Sequence, residues 1–314
     1  MHEDKDVSEP VGVADDGYLD VEGGQDADAT AGVLDEINQA IGSEWKLVRL
    51  LVGGYQSGAH ELVGPDGKRA VLKWAPSRRW ARQVLRAAPL VGLGRANGWP
   101  TPAWLAVGVT GEGFPYHIQE FVPGEPIGRT DHDMLDLVLP LIERQHDLQP
   151  NTTQDFSAHI GAVVFDDAHG YRSRLSGFSA AGADLMRTIV EACASARGVV
   201  IPANDLVHGQ MHSGNVLVEG NRVTGFIDVE AMGKGTRVVD LASLVLHAAL
   251  WDGEPHALAR LIDHSQHVVG QEVFTLCLGA AILPMLCFGI DRWEDGDVDS
   301  AAGRLVKLIN EVRR

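Results

Sequence analysis

The chain has 314 residues, of which 45% are hydrophobic and 22% are charged, and its formal net charge is −17 at pH 7. This length exceeds one minimal core and predicts two lobes, and the acidic balance disfavours nucleic acid as a partner because phosphate groups are repelled. The three cysteines show no C-x-x-C spacing, which predicts buried thiols without a disulfide or a metal site.

The acidic charge is concentrated at the start of the chain. Residues 1–36 contain twelve acidic residues and a single lysine, whereas the other 278 residues carry 31 acidic and 25 basic residues. The low apolar content of this segment predicts that residues 1–30 form a disordered tail. The segment also lacks the basic and apolar regions of a secretory signal, which predicts a cytoplasmic protein.

One apolar run comes close to the length of a membrane span. It extends from Phe274 to Ile290, which is shorter than the roughly 20 residues that a span requires. It also contains Thr275 and Pro284. These features favour a buried core helix, so the sequence predicts no contact with a membrane.

The pattern that follows the tail predicts one helix and then five strands. Apolar residues recur at helical spacing from Val33 to Ile41, and Gly42 is a suitable C-terminal cap. Five apolar runs follow, separated by turns or, after the third run, by a helix predicted from Ser77 onward: Trp45–Val52, Ala59–Val63, Arg69–Trp74, Pro102–Thr110 and Tyr116–Phe121. These elements predict an N-terminal lobe, residues 31–121, built on a five-stranded antiparallel sheet.

A glycine-rich turn connects the first two predicted strands. It contains Gly53, Gly54, Ser57 and Gly58, and the backbone N–H groups of such a turn can lie over phosphate groups. An ordinary hairpin turn is the alternative, because glycine is common in turns of every kind. Taken alone, the turn does not decide between these interpretations.

The third predicted strand carries a lysine among apolar residues. Lys73 requires an anionic partner if it is buried, and an exposed position at a sheet edge is the alternative. No Asp or Glu occurs between Asp66 and Glu112, and the helix predicted after the strand offers Gln83 instead. Lys73 therefore either works without an ion pair or receives a carboxylate from a distant part of the chain.

The strand pattern stops near residue 121. Pro123 and Gly124 interrupt it, and helical periodicity dominates the rest of the chain. Six helices are predicted: Met134–Leu148, Ala180–Ala196, Val238–Trp251, Pro255–His264, Gln271–Ile290 and Ala301–Val312. The sequence therefore predicts a mainly helical C-terminal lobe, residues 122–314.

A polar loop and a short hairpin lie within the predicted helical lobe. The polar loop extends from His208 to Asn215, and two apolar strands follow, Val216–Val218 and Val223–Ile227, with Asp228 directly after the second. Folding this hairpin brings Asn215 and Asp228 side by side. An amide oxygen beside a carboxylate predicts a magnesium site for a nucleotide triphosphate.

The polar loop and the hairpin resemble the catalytic core of the aminoglycoside phosphotransferase family. That family has the pattern H-G-D-x-x-x-x-N, then a short hairpin, then I-D-x-E or I-D-x-D. The chain matches the pattern at six positions: His208, Gly209, Asn215, Ile227, Asp228 and Glu230. It departs at one position, since Gln210 stands where the family has its catalytic aspartate.

The resemblance implies a protein-kinase-like α+β fold with two lobes and transfer of the γ-phosphoryl group of ATP. It also implies that Lys73 and the glycine-rich turn hold the phosphates, while Asn215 and Asp228 hold Mg²⁺. The backbone around Glu120 and Val122 would receive the adenine. The expected partners are a nucleotide and a hydroxylated small molecule, such as an aminoglycoside or another natural product.

The glutamine in the polar loop leaves three functions open. Gln210 can orient the acceptor hydroxyl but cannot take its proton, and loss of general-base help costs about 10²- to 10⁴-fold in rate. The sequence favours a phosphotransferase, active or weakly active, that acts on a hydroxylated small molecule. The alternatives are a catalytically impaired pseudokinase that binds nucleotide or acts as a scaffold, and a kinase for peptide Ser or Thr in modified-peptide biosynthesis.

The two histidines of the polar loop suggest a different chemistry. His208 and His212 are four residues apart, a spacing that places two zinc ligands on one face of a helix. Gly209 and Gly214 are poor helix residues, so the pattern disfavours zinc. Within the resemblance, His208 has a structural role.

Carboxylates of the helical lobe have two predicted roles. Asp240 stands at the start of an apolar helix, where it is expected to cap the helix or to pair with Arg237, and a third catalytic acid is the alternative. A pocket for a cationic aminoglycoside would need acidic walls. Four carboxylates are available for such a pocket: Asp166, Asp167, Asp184 and Glu191.

Overall fold

The computed structural model describes residues 27–51, 58–167 and 169–314. Within these ranges the chain folds into an N-terminal lobe built on a sheet and a C-terminal lobe that is mostly helical. The two-lobe α+β architecture that the sequence predicts is therefore confirmed.

The first described element is helix α1, Ala27–Ile41. Thr30 in its first turn is fully buried and accepts a hydrogen bond from the indole nitrogen of Trp74 at 3.1 Å. The predicted disorder is therefore wrong for residues 27–30, because this buried polar contact fixes them against the sheet. Residues 1–26 of the predicted tail lie outside the described residues.

Five strands form the sheet of the N-terminal lobe. They are β1 (Lys46–Leu51), β2 (Ala59–Val63), β3 (Arg69–Trp74), β4 (Trp104–Val109) and β5 (Pro115–Glu120), with helix α2 (Ala81–Ala96) between β3 and β4. All neighbours are antiparallel, in the order β1-β2-β3-β5-β4. This order places β3 at the centre, where Lys73 lies opposite Ala59 of β2 and His117 of β5.

Strand alternation directs the side chains of β3 to two faces of the sheet. Leu72 and Trp74 face α1 and pack with Leu34 and Ile37 in a small apolar core. Lys73 lies on the opposite face, which is turned toward the C-terminal lobe. The alternation of the strand thus decides where the lysine points.

The C-terminal lobe contains eight of the described α-helices and two small sheets. The helices are α3 (His132–Ile142), α4 (Phe156–Gly161), α5 (Tyr171–Phe178), α6 (Ala180–Ala192), α7 (Val238–His247), α8 (Pro255–Val269), α9 (Gln271–Arg292) and α10 (Asp295–Val312). One sheet contains β6 (Glu125–Pro126), β8 (Val216–Val218) and β9 (Val223–Phe226), and the other pairs β7 (Asp205–Val207) with β10 (Gly233–Gly235). Strands β8 and β9 form the predicted hairpin, and β7 leads into the polar loop.

Helices α4 and α5 are absent from the sequence-based prediction. Helix α4 has six residues and continues as a π-helical turn, Ala162–Asp166. Helix α5 buries only Tyr171 and Leu175 and packs against α6 and α9. Such short helices are stabilised by tertiary packing more than by their own periodicity, so the local pattern does not reveal them.

Among the described residues one helix, α9, is long and apolar enough to cross a membrane, judged by length and composition. Its residues Phe274, Leu278 and Ile282 are fully buried, and the helix packs against α5, α7, α8 and α10. In this structure α9 is therefore the central helix of the larger core, the position that the sequence predicts for it.

The larger core also includes residues that precede the predicted lobe boundary. Leu90 and Val91 of α2 and Trp99 after it are buried together with the residues of the C-terminal lobe. Trp99 packs against Phe226 of β9, with 4.9 Å between ring centroids. The predicted boundary between residues 121 and 122 therefore does not separate the two cores.

Replacing Thr30 with valine tests how firmly α1 is held. Thr30→Val preserves the shape of the side chain but removes the acceptor of the Trp74 indole N–H, which stays buried. An unsatisfied buried donor costs about 1–3 kcal/mol, so the free energy of unfolding, measured with urea, should fall by that amount. Thr30→Ser keeps the hydroxyl and should cost less. Equal losses in the two variants would contradict the assignment.

Candidate active site between the lobes

A cleft of about 1360 Å³ lies between the two lobes. Its walls include Lys73 from β3, Gln210 and Asn215 from the polar loop, and Asp228 after β9. The structure thus brings together the residues to which the sequence assigns catalysis and metal binding.

His208 fastens the polar loop to the end of the hairpin. Its Nε2 lies 2.8 Å from the backbone oxygen of Ile227, and because a carbonyl oxygen only accepts, Nε2 carries the proton. Nδ1 is then unprotonated and accepts the backbone N–H of Gln210 at 3.2 Å. Both ring nitrogens are therefore occupied by backbone groups, which supports the structural role and argues against zinc.

Asp240 on α7 accepts hydrogen bonds from the backbone of the polar loop. It is fully buried and accepts hydrogen bonds from the backbone N–H groups of His208 at 2.8 Å and Gly209 at 2.9 Å, and from Nε2 of Gln145 at 2.8 Å. Burial raises the pKa of Asp240 against the lowering effect of His208 and of these donors. The predicted helix cap or ion pair is therefore wrong.

Arg237 has other partners. Its guanidinium donates to Asp205 at 3.0 Å and to Glu143 at 2.9 Å. Asp205 also accepts the backbone N–H of Arg237 at 3.0 Å. The arginine thus fixes the start of α7 to β7, and this leaves Asp240 available for the polar loop.

Gly209 occupies a position that other residues do not fit. Its φ is +86°, in the region that favours glycine, and a Cβ atom there would lie 2.5 Å from Cζ of Phe156 on α4. The glycine lets the polar loop turn sharply between Asp240 and α4. Backbone geometry therefore requires the glycine at this point.

The loop and the hairpin meet at Asn215. Its side-chain amide donates to the backbone oxygen of Gln210 at 2.9 Å, and its own backbone oxygen accepts from the N–H of Ile227 at 3.0 Å. The second bond places Asn215 beside Asp228, as the folded hairpin predicts. The first orients the amide so that its nitrogen is used internally and its oxygen is the atom left to bind a ligand.

Asp228 lies at a sharp turn after β9. Its φ of 60° and ψ of 46° are left-handed, which is uncommon for a residue other than glycine. A short 3-10 turn, Val229–Ala231, follows. This geometry directs the carboxylates of Asp228 and Glu230 to the same cation.

That cation is Lys73. Its Nζ lies 2.8 Å from Oδ1 of Asp228 and is also paired with the carboxylate of Glu230, and only 10% of its side chain is exposed. Burial alone would lower the pKa of Lys73, but the two carboxylates outweigh burial and raise it. Conversely, although burial opposes ionisation of Asp228, Lys73 holds the pKa of that carboxyl below its ordinary value.

Glu230 is an acidic partner of Lys73 that comes from outside the helix after β3. The sequence offers no carboxylate on the helix after β3, where Gln83 lines the cleft instead. The partners of Lys73 come from the other lobe, from the turn after β9. The sequence motif contains Glu230 but does not assign it to Lys73, because the pairing depends on how the two lobes meet.

His117 lies on the other side of this ion-pair cluster. Its ring stacks on Trp104 with 4.1 Å between centroids, and its Nε2 is 3.6 Å from Oε1 of Glu230. Burial lowers the pKa of His117 to about 4, so the ring is neutral at pH 7. Lys73, Asp228 and Glu230 then carry a net charge of about −1 when all three are ionised.

The residues predicted to bind nucleotide are only partly described. Gly53, Gly54 and Ser57 lie outside the described residues, and Gly58 is buried directly before β2. Glu120 and Val122 both line the cleft where the chain leaves β5. The Glu120 side chain accepts the backbone N–H of Ala103 at 2.9 Å and pairs with Arg95 at 3.2 Å. Adenine binding at this segment stays a prediction.

The four carboxylates considered for an acidic pocket do not line the cleft: Asp166, Asp167, Asp184 and Glu191. Asp184 pairs with Arg187 on the surface, and Asp167 accepts the backbone N–H of Arg172 at 2.8 Å at the start of α5. The acidic wall expected for a cationic aminoglycoside is therefore not formed by these residues.

Another wall of the cleft was not predicted as part of a site. One face of α9 lines it, together with His247, Trp251 and Trp293. The sequence marks α9 as a core helix because it is apolar throughout, and hydrophobicity alone does not distinguish a face that packs from a face that borders a cavity.

The oxygen donors in the cleft suit Mg²⁺ bound together with a nucleotide. No group of three or more His, Cys, Asp or Glu is arranged to hold a metal within the described parts of the chain. Mg²⁺ is commonly held through one or two carboxylates together with substrate phosphates and water. Asp228, whose side chain is 41% exposed, and the amide oxygen of Asn215 supply donors of this kind.

Comparison with solved structures identifies the type of fold. A thermostable mutant of the aminoglycoside phosphotransferase APH(4)-Ia, in a ternary complex with ADP and hygromycin B, matches with a TM-score of 0.67 and 16% identity over 89% of this chain and 98% of that chain. Aminoglycoside phosphotransferase APH(2'')-Ib, ADP-bound, matches with a TM-score of 0.57 and 16% identity over 90% and 98%. Aminoglycoside-3'-phosphotransferase of type VIII matches with 0.55 and 21% over 79% and 98%.

The fold is therefore that of the kinase-like phosphotransferases. The sequence pattern of the phosphotransferase enzyme family matches residues 48–270, and the chain belongs to this family. Comparison with curated proteins gives no significant sequence match. The family match over residues 48–270 confirms the resemblance seen in the polar loop and hairpin.

Asp240→Ala should destabilise the whole protein. The change leaves the buried N–H groups of His208, Gly209 and Gln145 without their acceptor, at a cost of about 3 kcal/mol or more in the free energy of unfolding. Urea unfolding measures this loss. Asp184→Ala is the matched control, since Asp184 is an exposed partner of Arg187 and such pairs contribute at most about 1 kcal/mol. Similar losses in both variants would refute the role given to Asp240.

Proposed function

We propose that the protein transfers the γ-phosphoryl group of ATP to a hydroxyl group of a small molecule, with Mg²⁺ as cofactor. The observation that carries the proposal is the cluster of Lys73, Asp228 and Glu230 beside Asn215, all bordering one cleft. Membership of the phosphotransferase enzyme family supports it. The complexes with ADP and hygromycin B, and with AMP-PNP and hygromycin B, in structurally similar proteins support it further.

Each side chain of the cluster has a role in this proposal. Lys73 neutralises phosphate charge, and Glu230 keeps its ammonium group in place on β3. Asp228 and Asn215 would hold Mg²⁺, which supplies charge neutralisation for the phosphates when bound. Asp228 would then bind both Lys73 and the metal, and the exposed part of its side chain leaves space for the metal.

Gln210 sets the rate in this proposal. It lines the cleft, and Asn215 bonds its backbone, so the position of the residue is fixed. Its amide can orient an acceptor hydroxyl without removing the proton. Phosphoryl transfer depends mainly on positioning and charge neutralisation, so a slow reaction survives the loss of a base.

A pseudokinase is the second candidate. Gln210 favours it, since no carboxylate occurs in the polar loop from His208 to Asn215. A nucleotide-binding scaffold would keep the cluster around Lys73 and lose only transfer. Phosphorylation of peptide Ser or Thr is the remaining alternative, and product analysis separates these functions.

Nucleotide binding is tested first by thermal shift. At ATP about 100-fold above its Kd, with Mg²⁺, the native state gains about 2.7 kcal/mol, and the melting temperature should rise by roughly 5 °C. Asp228→Asn should remove the part of the shift that depends on Mg²⁺ and leave the shift seen with ATP and EDTA. Asp184→Asn, a surface control, should behave like the parent. A folded parent whose melting temperature does not respond to Mg²⁺-ATP would refute the proposal.

Gln210→Asp tests the limit on the chemical step. The carboxylate restores a base, so ATP turnover with water as acceptor should rise by about 10², while the affinity for Mg²⁺-ATP stays unchanged. Gln39→Asp on the exposed face of α1 makes the same substitution far from the cleft, and it should change neither quantity. A fall in turnover with Gln210→Asp would show that glutamine belongs to a different working geometry.

A further inference from the structure

The cleft continues past the polar loop into an apolar end. The wall there is one face of α9, on which the lining residues recur every three or four positions: Cys277, Ala280, Ala281, Pro284, Met285, Phe288 and Arg292. The small side chains of Ala280 and Ala281 leave space, while Met285 and Phe288 present apolar surface. Gln210 and His212 of the polar loop line the same cleft, and His212 contacts this end through His247, so an acceptor molecule in the apolar end would lie beside the polar loop.

Aromatic rings form the other side of the apolar end. His212 of the polar loop stacks on His247 at 4.6 Å between centroids, His247 lies 4.9 Å from Trp251, and Trp251 meets Trp293 edge-on at 5.6 Å. Burial lowers the pKa of His247 to about 3, so this ring is neutral. Trp251 is 55% exposed although it borders a cavity. An exposed indole at this point offers a stacking surface to a planar ligand.

The apolar end carries no carboxylate among its described lining residues. The described residues that line the cleft from the ranges 156–163 and 239–293 include no Asp or Glu. They do include Arg292. Asp291, the neighbour of Arg292 in sequence, pairs with Arg174 instead. A polycation placed here would lose its hydration without gaining an anion, which is costly.

The rings also do not form a cage for an organic cation. Such a cage turns several ring faces toward one point. Here the ring faces of His212 and His247 stack on each other. The Arg292 guanidinium lies 5.9 Å from the centroid of the Phe288 ring. An organic cation would therefore not be enclosed by ring faces here.

The chemistry of the polar loop restricts the acceptor further. The loop contains no carboxylate to take a proton from the attacking oxygen, so an acceptor that ionises readily has an advantage. A phenol has a pKa of about 10, well below that of an alkyl alcohol. Its aromatic ring also suits the apolar end of the cleft.

We propose that the acceptor is an uncharged or anionic aromatic molecule and that its phenolic hydroxyl receives the phosphoryl group. This inference rests on the proposed function. The phenol oxygen forms the new bond to the γ-phosphorus, the bond from phosphorus to the β–γ bridging oxygen breaks with its electron pair remaining on ADP, and the phenol proton passes to water. Gln210 orients the hydroxyl during the transfer.

A matched series of naphthalenes tests the charge preference on the full chain. Calorimetric titration, with Mg²⁺ and AMP-PNP present, compares 2-naphthol, 6-hydroxy-2-naphthoate and 6-(aminomethyl)-2-naphthol, which share one ring system and differ in charge. The neutral and anionic compounds should bind at least about tenfold more tightly than the ammonium compound. Hygromycin B serves as the polycation without an aromatic ring and should not compete. Tighter binding of either cation would overturn the proposal.

Two substitutions in the wall test the origin of the preference. Ser243→Asp places a carboxylate on the side of α7 that lines the cleft, and it should reverse the preference toward the ammonium compound. Ser176→Asp, on the exposed side of α5, is the matched control and should leave the preference unchanged. Arg292→Gln alters an exposed rim residue and should weaken the naphthoate alone. If Ser243→Asp and Arg292→Gln both left the order of affinities unchanged, the charge of the cleft wall would not be the origin of the preference, and this explanation would be overturned.

Transfer itself is compared with 2-naphthol and 2-naphthalenemethanol, whose hydroxyl is on an alkyl carbon. The parent protein should phosphorylate the phenol at least about tenfold faster, and Gln210→Asp should narrow this ratio because a base helps the alkyl alcohol more. If no naphthalene binds while Mg²⁺-ATP still shifts the melting temperature, the inference fails and the proposed function stands. If the naphthalenes bind but Mg²⁺-ATP causes no shift, the proposed function fails, and the phosphorylation built on it fails too.

Discussion

The ion pairs of Lys73 with Asp228 and Glu230 are the constraint on which the arrangement of the site depends. A cation on the central strand of the N-terminal sheet is nearly buried, and the helix that follows offers no carboxylate to it. The compensating charge therefore has to come from the C-terminal lobe. Because an unpaired buried charge is very costly, the turn after β9 and strand β3 must stay close together. The same ion pairs compensate for the left-handed backbone conformation of Asp228.

The polar loop is held by a second set of contacts that does not require a ligand. Asp240 binds two consecutive backbone N–H groups of the loop, His208 binds the end of the hairpin, and Asn215 binds the backbone of Gln210. Each of these bonds is buried or partly buried, so each would leave an unsatisfied group if broken. The loop that presents Gln210 to the cleft is therefore preorganised, which is the property that phosphoryl transfer demands of a protein.

Local patterns in the sequence predict part of this site and not the rest. The hairpin between Asn215 and Asp228 and the alternation of β3 around Lys73 are short-range features, and both lie where the sequence places them. The pairing of Lys73 with Glu230 depends on the packing of two lobes, which no short-range pattern records. Asp240 follows Arg237 closely in sequence and so suggested an ion pair, yet the fold turns the two side chains to different partners.

The cleft has two parts with different physical characters, and the polar loop contacts both, through Asn215 at the hairpin and through His212 at His247. The ion-pair cluster around Lys73 is charged, whereas the end between α9 and Trp251 is apolar and without carboxylates among its described lining residues. An apolar acceptor that fills the second end excludes water from the first, and electrostatic interactions strengthen where water is excluded. Under the proposed function, binding of the acceptor would then strengthen the interaction of Lys73 with the phosphate groups. This effect would need no movement of the polar loop, because the contacts that hold the loop do not depend on a ligand.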